Sequence, residues 1–145
     1  MSDFVISSRD FEEGKEIPKK FGYKHGNQEP DWTITETPDD AMCLALIMDD
    51  PDAMGAVGKV WVHWLFYNIN PNFPNLRPVI SGKNDFGEIG YGGPAPPDKR
   101  HTYVFKAYAL DVDLDLKKGF SKQELEDAMK DHIIAETKLT GTFAP

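Results

Sequence analysis

Met42 to Met48 reads MCLALIM and Val60 to Asn68 reads VWVHWLFYN, and these two runs decide the fold. The first is apolar at every position. The second combines β-branched and aromatic residues with one histidine and a closing asparagine. Continuous hydrophobicity suits strands covered on both faces, and β-branched and aromatic side chains fit a pleated backbone better than a helix. The expectation is two adjacent buried strands joined through the acidic turn Asp49-Asp50-Pro51-Asp52-Ala53-Met54-Gly55. His101 to Leu110 supplies a third strand of a different kind. It alternates, placing His101, Tyr103, Phe105 and Ala107 on one face and Thr102, Val104, Lys106 and Tyr108 on the other.

Working outward, Phe4-Val5-Ile6 reads as a short strand, Ile17-Pro18 with Phe21-Gly22-Tyr23 as a second, interrupted one, and Trp32-Thr33-Ile34-Thr35 as a further short alternating segment. Asn70 to Lys83 carries Pro71, Pro74, Pro78 and Gly82 with few apolar repeats, so it reads as an irregular crossing. Near the C-terminus Ser121-Lys122-Gln123-Glu124 is a capping box, with Phe120 and Leu125 placed as a hydrophobic staple. Leu125, Ala128, Met129, His132, Ile133 and Glu136 trace one helical face and Gly141 offers a stop. That spacing predicts one C-terminal helix of about 18 residues on a β-rich body.

Between the second and third confident strands, Glu88 to Pro97 reads EIGYGGPAPP. Its glycines and prolines exclude regular helix, and the prolines remove ladder donors, so it is a shaped loop. Two readings are open for it: a rigid connection between strands, or a backbone that approaches a ligand closely.

The 145 residues and 16.3 kDa suit one domain over residues 1–145 with a single core. Twenty-four acidic against 16 basic residues leave a net charge of −8, and short pairs such as Lys19-Lys20 and Lys117-Lys118 do not make a basic cluster. This argues against nucleic acid and against an anionic membrane surface as partners. Cys43 is the only cysteine, so no intramolecular disulfide can form, and its apolar setting reads as a buried, inert thiol. No segment approaches the roughly 18 apolar residues of a membrane span, and the N-terminus lacks a signal-peptide pattern, so the expected location is cytoplasmic.

Three pieces carry chemistry. Asp50 and Asp52 are two apart, so in an extended stretch they point the same way, with Pro51 fixing the path. His63 lies mid-strand in a buried run, facing with Trp61, Leu65 and Tyr67. His101 and Tyr103 begin the third strand on a common face. A lone strand histidine is usually a satisfied core residue, and an acidic turn is usually solvated. Together, the acidic turn, the buried histidine and the histidine beside the glycine loop could meet at one sheet edge.

These motifs resemble a known family. DDPDA at Asp49 to Ala53, HWLFYNI at His63 to Ile69, NDFGEIGYGGPAPP at Asn84 to Pro97 and RHTYVFKAYALD at Arg100 to Asp111 look like the phosphatidylethanolamine-binding protein (PEBP) family, in its short bacterial and archaeal branch, often described as Raf kinase inhibitor-like. Phe11 to Lys20 and Leu139-Thr140-Gly141-Thr142 extend the resemblance over nearly the whole chain. Met54 stands where the family often has proline, and Glu29-Pro30-Asp31-Trp32 where a Ser-Pro-Pro-type stretch is more usual.

The resemblance implies a mainly β, antiparallel β-sandwich-like fold with a small anion-binding cavity. By position, the family's site residues fall on Asp50, Asp52, His63, Gly93, Pro94, His101 and Tyr103, with Trp61 as a wall. Phosphate and phosphate-like head groups are the implied ligands, held by backbone donors near Gly93 and by the two histidines. The carboxylates would orient and charge the histidines or meet an ammonium group. No cofactor is called for. The expected role is non-catalytic binding of a phosphate-bearing group, with regulation of a kinase or protease as the partner role and a homodimer as the implied assembly. The alternative is a metal-dependent hydrolase, because two aspartates and two histidines can ligate a divalent ion.

Overall fold

The computed structural model describes residues 4–74 and 79–145. Two sheets carry the architecture. The smaller pairs β1 (Val5–Ser7) with β2 (Thr33–Thr35), and the larger is a five-stranded antiparallel sheet. Its members are β3 (Cys43–Asp50), β4 (Trp61–Ile69), β5 (Ile80–Ser81), β6 (His101–Leu110) and β7 (Ile133–Phe143), in the order β5-β4-β3-β6-β7. The two continuous apolar runs are therefore neighbours, as expected, and β3 is the central strand, with every residue buried. A five-residue helix, α1 (Ala53–Val57), occupies the β3–β4 turn, and α2 (Lys122–Met129) lies between β6 and β7.

Alternation along β3 divides the core. Leu44, Leu46 and Met48 enter one apolar cluster with Phe4, Ile6, Trp32 and Ile34 from the small-sheet side. Cys43, Ala45 and Ile47 enter a second cluster with Leu125 and Met129 of α2. A strand with apolar residues on both sides is what two covering layers require. The charges at the end of β3 follow the same period. Asp49 faces the α2 side, where Lys106 and Lys122 approach its Oδ2 at 3.0 and 3.2 Å, and Asp50 faces the other way.

The helix near the C-terminus is shorter than the sequence pattern suggested. The capping box forms as expected: Ser121 Oγ accepts from Glu124 N and Glu124 Oε1 accepts from Ser121 N, each at 3.0 Å. The helix nevertheless spans 8 residues rather than about 18, because Asp131 adopts a left-handed backbone (φ 67°) and turns the chain into β7. Gly141 is no helix stop. It lies within β7, where an added Cβ would sit 2.6 Å from Ile17 and 2.7 Å from Phe11.

In the N-terminal part, the expected interrupted strand is a single parallel bridge from Glu16 to Thr142 followed by a 3₁₀ turn at Lys19–Phe21. Pro18 has no amide hydrogen for a ladder, and its carbonyl accepts from Phe21 N at 3.1 Å, starting that turn. In the described parts of the crossing after β4, residues 71–74 form turns and a bend, and β5 follows; Pro78, which the sequence reading singled out, falls outside the described residues. Among the described residues, no helix is long and apolar enough to cross a membrane.

Candidate functional site

The local event that makes the site is a bulge in β4. Met48 pairs with Trp64 and Asp49 with Val62, so His63 has no partner across the ladder. Leu65 and Tyr67 pack with the α2-side cluster, and Trp64 and Phe66 with the opposite one. His63 stands against Tyr103, ring centroids 5.1 Å apart and nearly perpendicular. The expectation that His63 shares a face with Leu65 and Tyr67 is thus corrected. An extra residue in the strand reverses the alternation and turns the imidazole toward β6.

A cavity of about 190 Å³ opens there. It is lined by Asp50, by Ala53, Ala56 and Val57 of α1, by Trp61 and His63, by Phe86, by Ala95 and Pro97, and by His101 and Tyr103. Five of the eight sequence-selected residues meet: Asp50, Trp61, His63, His101 and Tyr103. The other three lie outside the lining. The Asp52 carboxylate accepts from Thr102 N at 2.8 Å and so ties the α1 turn to the first turn of β6. Gly93 and Pro94 face the N-terminal segment: Gly93 N donates to Asn27 Oδ1 at 2.7 Å, and Tyr23 N donates to Pro94 O at 2.9 Å. A Cβ on residue 93 would lie 2.0 Å from Phe21 O, so glycine is required for close approach to protein backbone rather than to a ligand. The Gly93 amide is accordingly unavailable as an anion donor.

The two histidines are set differently. His63 Nδ1 is 2.7 Å from Gly92 O, and since a carbonyl only accepts, that nitrogen carries the proton. Burial drives the His63 pKa down to about 4, against the raising pull of the Gly92 and Gly93 carbonyls, so the ring is neutral and Nε2 holds a lone pair. His101 Nδ1 lies 2.6 Å from Asp50 Oδ2, and its Nε2 lies 2.7 Å from Asp98 Oδ1. Burial alone would lower its pKa, but the two carboxylates outweigh burial and raise it above the ordinary value. A carboxylate at each ring nitrogen therefore favours the imidazolium form of His101, which can donate to both. Burial also raises Asp50, opposed by the His101 hydrogen bond.

Three buried polar atoms at this cavity have no hydrogen-bond partner: Asp50 Oδ1, Trp61 Nε1 and Tyr103 Oη. The Tyr103 pKa is raised, by burial first and by the Asp50 charge second, so its hydroxyl keeps its proton and remains a donor. A buried polar group left unpaired costs about 1–3 kcal/mol, so each of the three is a point at which a ligand or water would be held.

Several residues of the site escaped the sequence reading. Phe86 packs edge-on to Trp61 and His63 and stacks on Tyr23 at 3.9 Å, so it is both a wall and a link to the N-terminal segment. Buried Asn84 holds the loop that carries Phe86, accepting from Phe86 N and Glu88 N and donating to Gly90 O. Asp98 and Asn27 are the others. An Asx residue before a Gly-containing turn is a signal for Asn84, whereas nothing local marks Asp98 as a histidine partner. Arg100 pairs with Glu16 on the surface. Among the described residues, no three His, Cys, Asp or Glu side chains are arranged to hold a metal ion.

A mainly β chain of two sheets, with a small, largely apolar-walled cavity holding a few buried polar groups at the end of the central strands, defines a fold class that the comparisons identify. The family model described as phosphatidylethanolamine-binding protein matches residues 7–144, and the chain belongs to that family. A UPF0098 protein of Chlamydia muridarum is 40% identical over 145 residues, covering 95% of this chain and 97% of the relative. A UPF0098 protein of Methanothermobacter thermautotrophicus is 37% identical over 149 residues, with the same coverage. Among solved structures, a PEBP homolog from Chlamydia trachomatis superposes with a TM-score of 0.90 at 37% identity, covering 99% of this chain and 98% of that one. Escherichia coli YbcL, described as a member of the mammalian PEBP family, gives 0.87 at 26% identity, covering 98% of each.

Proposed function

We propose that this chain is a non-catalytic binding protein that takes a small phosphate-bearing ligand or head group into the cavity between β4 and β6. The observation that carries the reading is the set of unpartnered polar atoms on one cavity. Trp61 Nε1 and Tyr103 Oη offer two donors to anionic oxygens, and Asp50 Oδ1 can accept from a hydroxyl or ammonium of the same ligand. The volume suits such a group, being roughly six times the share of one liquid water. A binding role is favoured over hydrolysis because, among the described residues, no hydroxyl or thiol nucleophile paired with a base stands in the cavity, although His63 Nε2 keeps a lone pair there. The Tyr103 hydroxyl is held protonated, both His101 nitrogens are engaged, and Cys43 is buried elsewhere with its pKa raised by that burial.

Titration with inorganic phosphate and with phosphorylethanolamine tests the reading. Binding should shift the His63 and His101 ring resonances, and Trp61→Phe and Tyr103→Phe should each weaken it by about tenfold, the effect of losing one hydrogen bond to a charged group. Absence of heat and of shifts at both histidines would overturn it. Regulation of a kinase or protease by contact is the proposed cellular role. Loss of partner binding on His63 and His101 substitution would support the cavity as the contact's control point, and unchanged binding would move that role to another surface.

A further inference from the structure

The geometry points to Asp98 as a tethered competitor for the ligand: its carboxylate occupies the His101 nitrogen that an incoming anion would otherwise use, and so sets how tightly anions bind. This rests on the anion-binding reading above and adds to it a residue that determines affinity.

The argument begins with the placing of the two acids on His101. Asp50 lies at the buried end of β3 with a side chain only 4% exposed, 2.6 Å from Nδ1, and so orients the ring from within the fold. Asp98 belongs to the loop after Pro96 and Pro97, and its side chain is 41% exposed while that of His101 is 0% exposed. The outer carboxylate therefore covers the Nε2 hydrogen from the solvent side. Its oxygen, 2.7 Å from Nε2, sits where a phosphate oxygen would accept the same hydrogen bond. One acid is part of the frame and the other is a solvent-side substitute for an anion.

The groups facing His101 make that nitrogen valuable to an anion. Around the ring stand Asp50, Asp98 and the Tyr103 ring, its centroid 6.3 Å away, with the His63 ring beyond Tyr103. Arg100, two residues from Asp98, is turned to Glu16. The His101 imidazolium is thus the cationic donor of the cavity, and in this structure it is fully satisfied by the protein itself. An anion must either bind without it, on Trp61 Nε1 and Tyr103 Oη alone, or displace Asp98 and tolerate its charge nearby.

Two variants separate occupancy from charge. In Asp98→Ala the Nε2 hydrogen is freed and the nearby charge is gone; in Asp98→Asn the charge is gone but an amide oxygen can still occupy Nε2. Inorganic phosphate is titrated into all three proteins at about pH 6, where His101 is cationic, by calorimetry and by the His101 ring shifts. The expected order of affinity is Asp98→Ala above Asp98→Asn above wild type, with the alanine variant about tenfold tighter than wild type. Without phosphate, the alanine variant should also show a lower His101 pKa by NMR titration, since one carboxylate partner is lost. If the wild type binds phosphate and Asp98→Ala binds it no more tightly, the proposal is overturned while the cavity reading stands. If none of the three proteins binds phosphate, the cavity reading fails and this one with it. An unchanged His101 pKa in the alanine variant would remove the contact on which the proposal depends.

Discussion

The β4 wall and the β6 wall of the cavity each present a buried histidine, and the two rings behave in opposite ways. His63 is 2% exposed and His101 1%, so surface exposure does not separate them. Their partners do. A carbonyl accepts one hydrogen bond from His63 and leaves burial to dominate, so the ring stays neutral. At His101, which lies less deep in the protein, two carboxylates outweigh burial and raise the pKa, favouring the charged ring. The lesson is that a histidine's position in a strand says that it is buried, and only the second layer says which protonation state it serves.

The sharpest way to break this contrast is acid. The folded pKa of His63, about 4, lies below the unfolded value of 6.5, so the unfolded chain binds the extra proton between them. Stability attributable to His63 is full above about pH 6.5 and falls as pH drops through 4, by about 3 kcal/mol at the limit. Urea melts of wild type and His63→Gln across that range should diverge by this amount, and parallel curves would refute the neutral assignment.

A second contrast runs between adjacent residues of β3. Asp49 is satisfied by two lysines, whereas Asp50 keeps one oxygen unpartnered at the cavity. Asp49→Asn should cost about 2 kcal/mol, less than a fully buried ion pair because both ammonium groups are about a quarter exposed. Asp50→Asn should cost only about 1 kcal/mol of stability but abolish ligand-linked shifts at His101. Chemical denaturation of the two variants, run beside phosphate titration, checks both halves; equal stability losses would erase the distinction.

The smallest effect expected is alkaline. His101 has a folded pKa above its unfolded value, so its contribution is present below about pH 6.5 and is lost as pH rises through the folded pKa. Asp98→Ala should flatten that decline in the urea midpoint, and an unflattened profile would detach Asp98 from the ring.

Much of this architecture was legible because it rests on local pattern. MCLALIM has apolar residues on both faces and became the central strand; the alternation of His101 to Ala107 survived as burial of every second residue. Five residues of the cavity could be placed because strand ends bring them together. What could not be read was set by long-range contact. Helical spacing runs on from Leu125 to Glu136, and nothing in Asp131 announces a left-handed turn, although Thr137, Thr140 and Thr142 are β-branched in a manner that suits a strand. Gly92 and Gly93 do stand at close approaches, though to protein rather than to the ligand that the glycine loop suggested. Their neighbours turned out to be Phe86 and the Phe21–Tyr23 backbone, which only the folded chain supplies. The β4 bulge likewise leaves no trace in composition, yet it aims His63.

The parallel bridge between Glu16 and Thr142 has a mechanical consequence. Ile17 N donates to Thr142 O, Thr142 N to Lys15 O, and Gly14 N to Thr140 O, so a segment early in the chain lies zipped alongside one late in it, running the same way. Tension applied to the chain before residue 14 and after residue 142 would slide these two segments past each other. The three bonds would then share the load in shear rather than open one at a time like a peeled hairpin. The same clasp covers the outer edge of β7 at its far end, so the strand that closes the sheet is also the one that resists being drawn out of it.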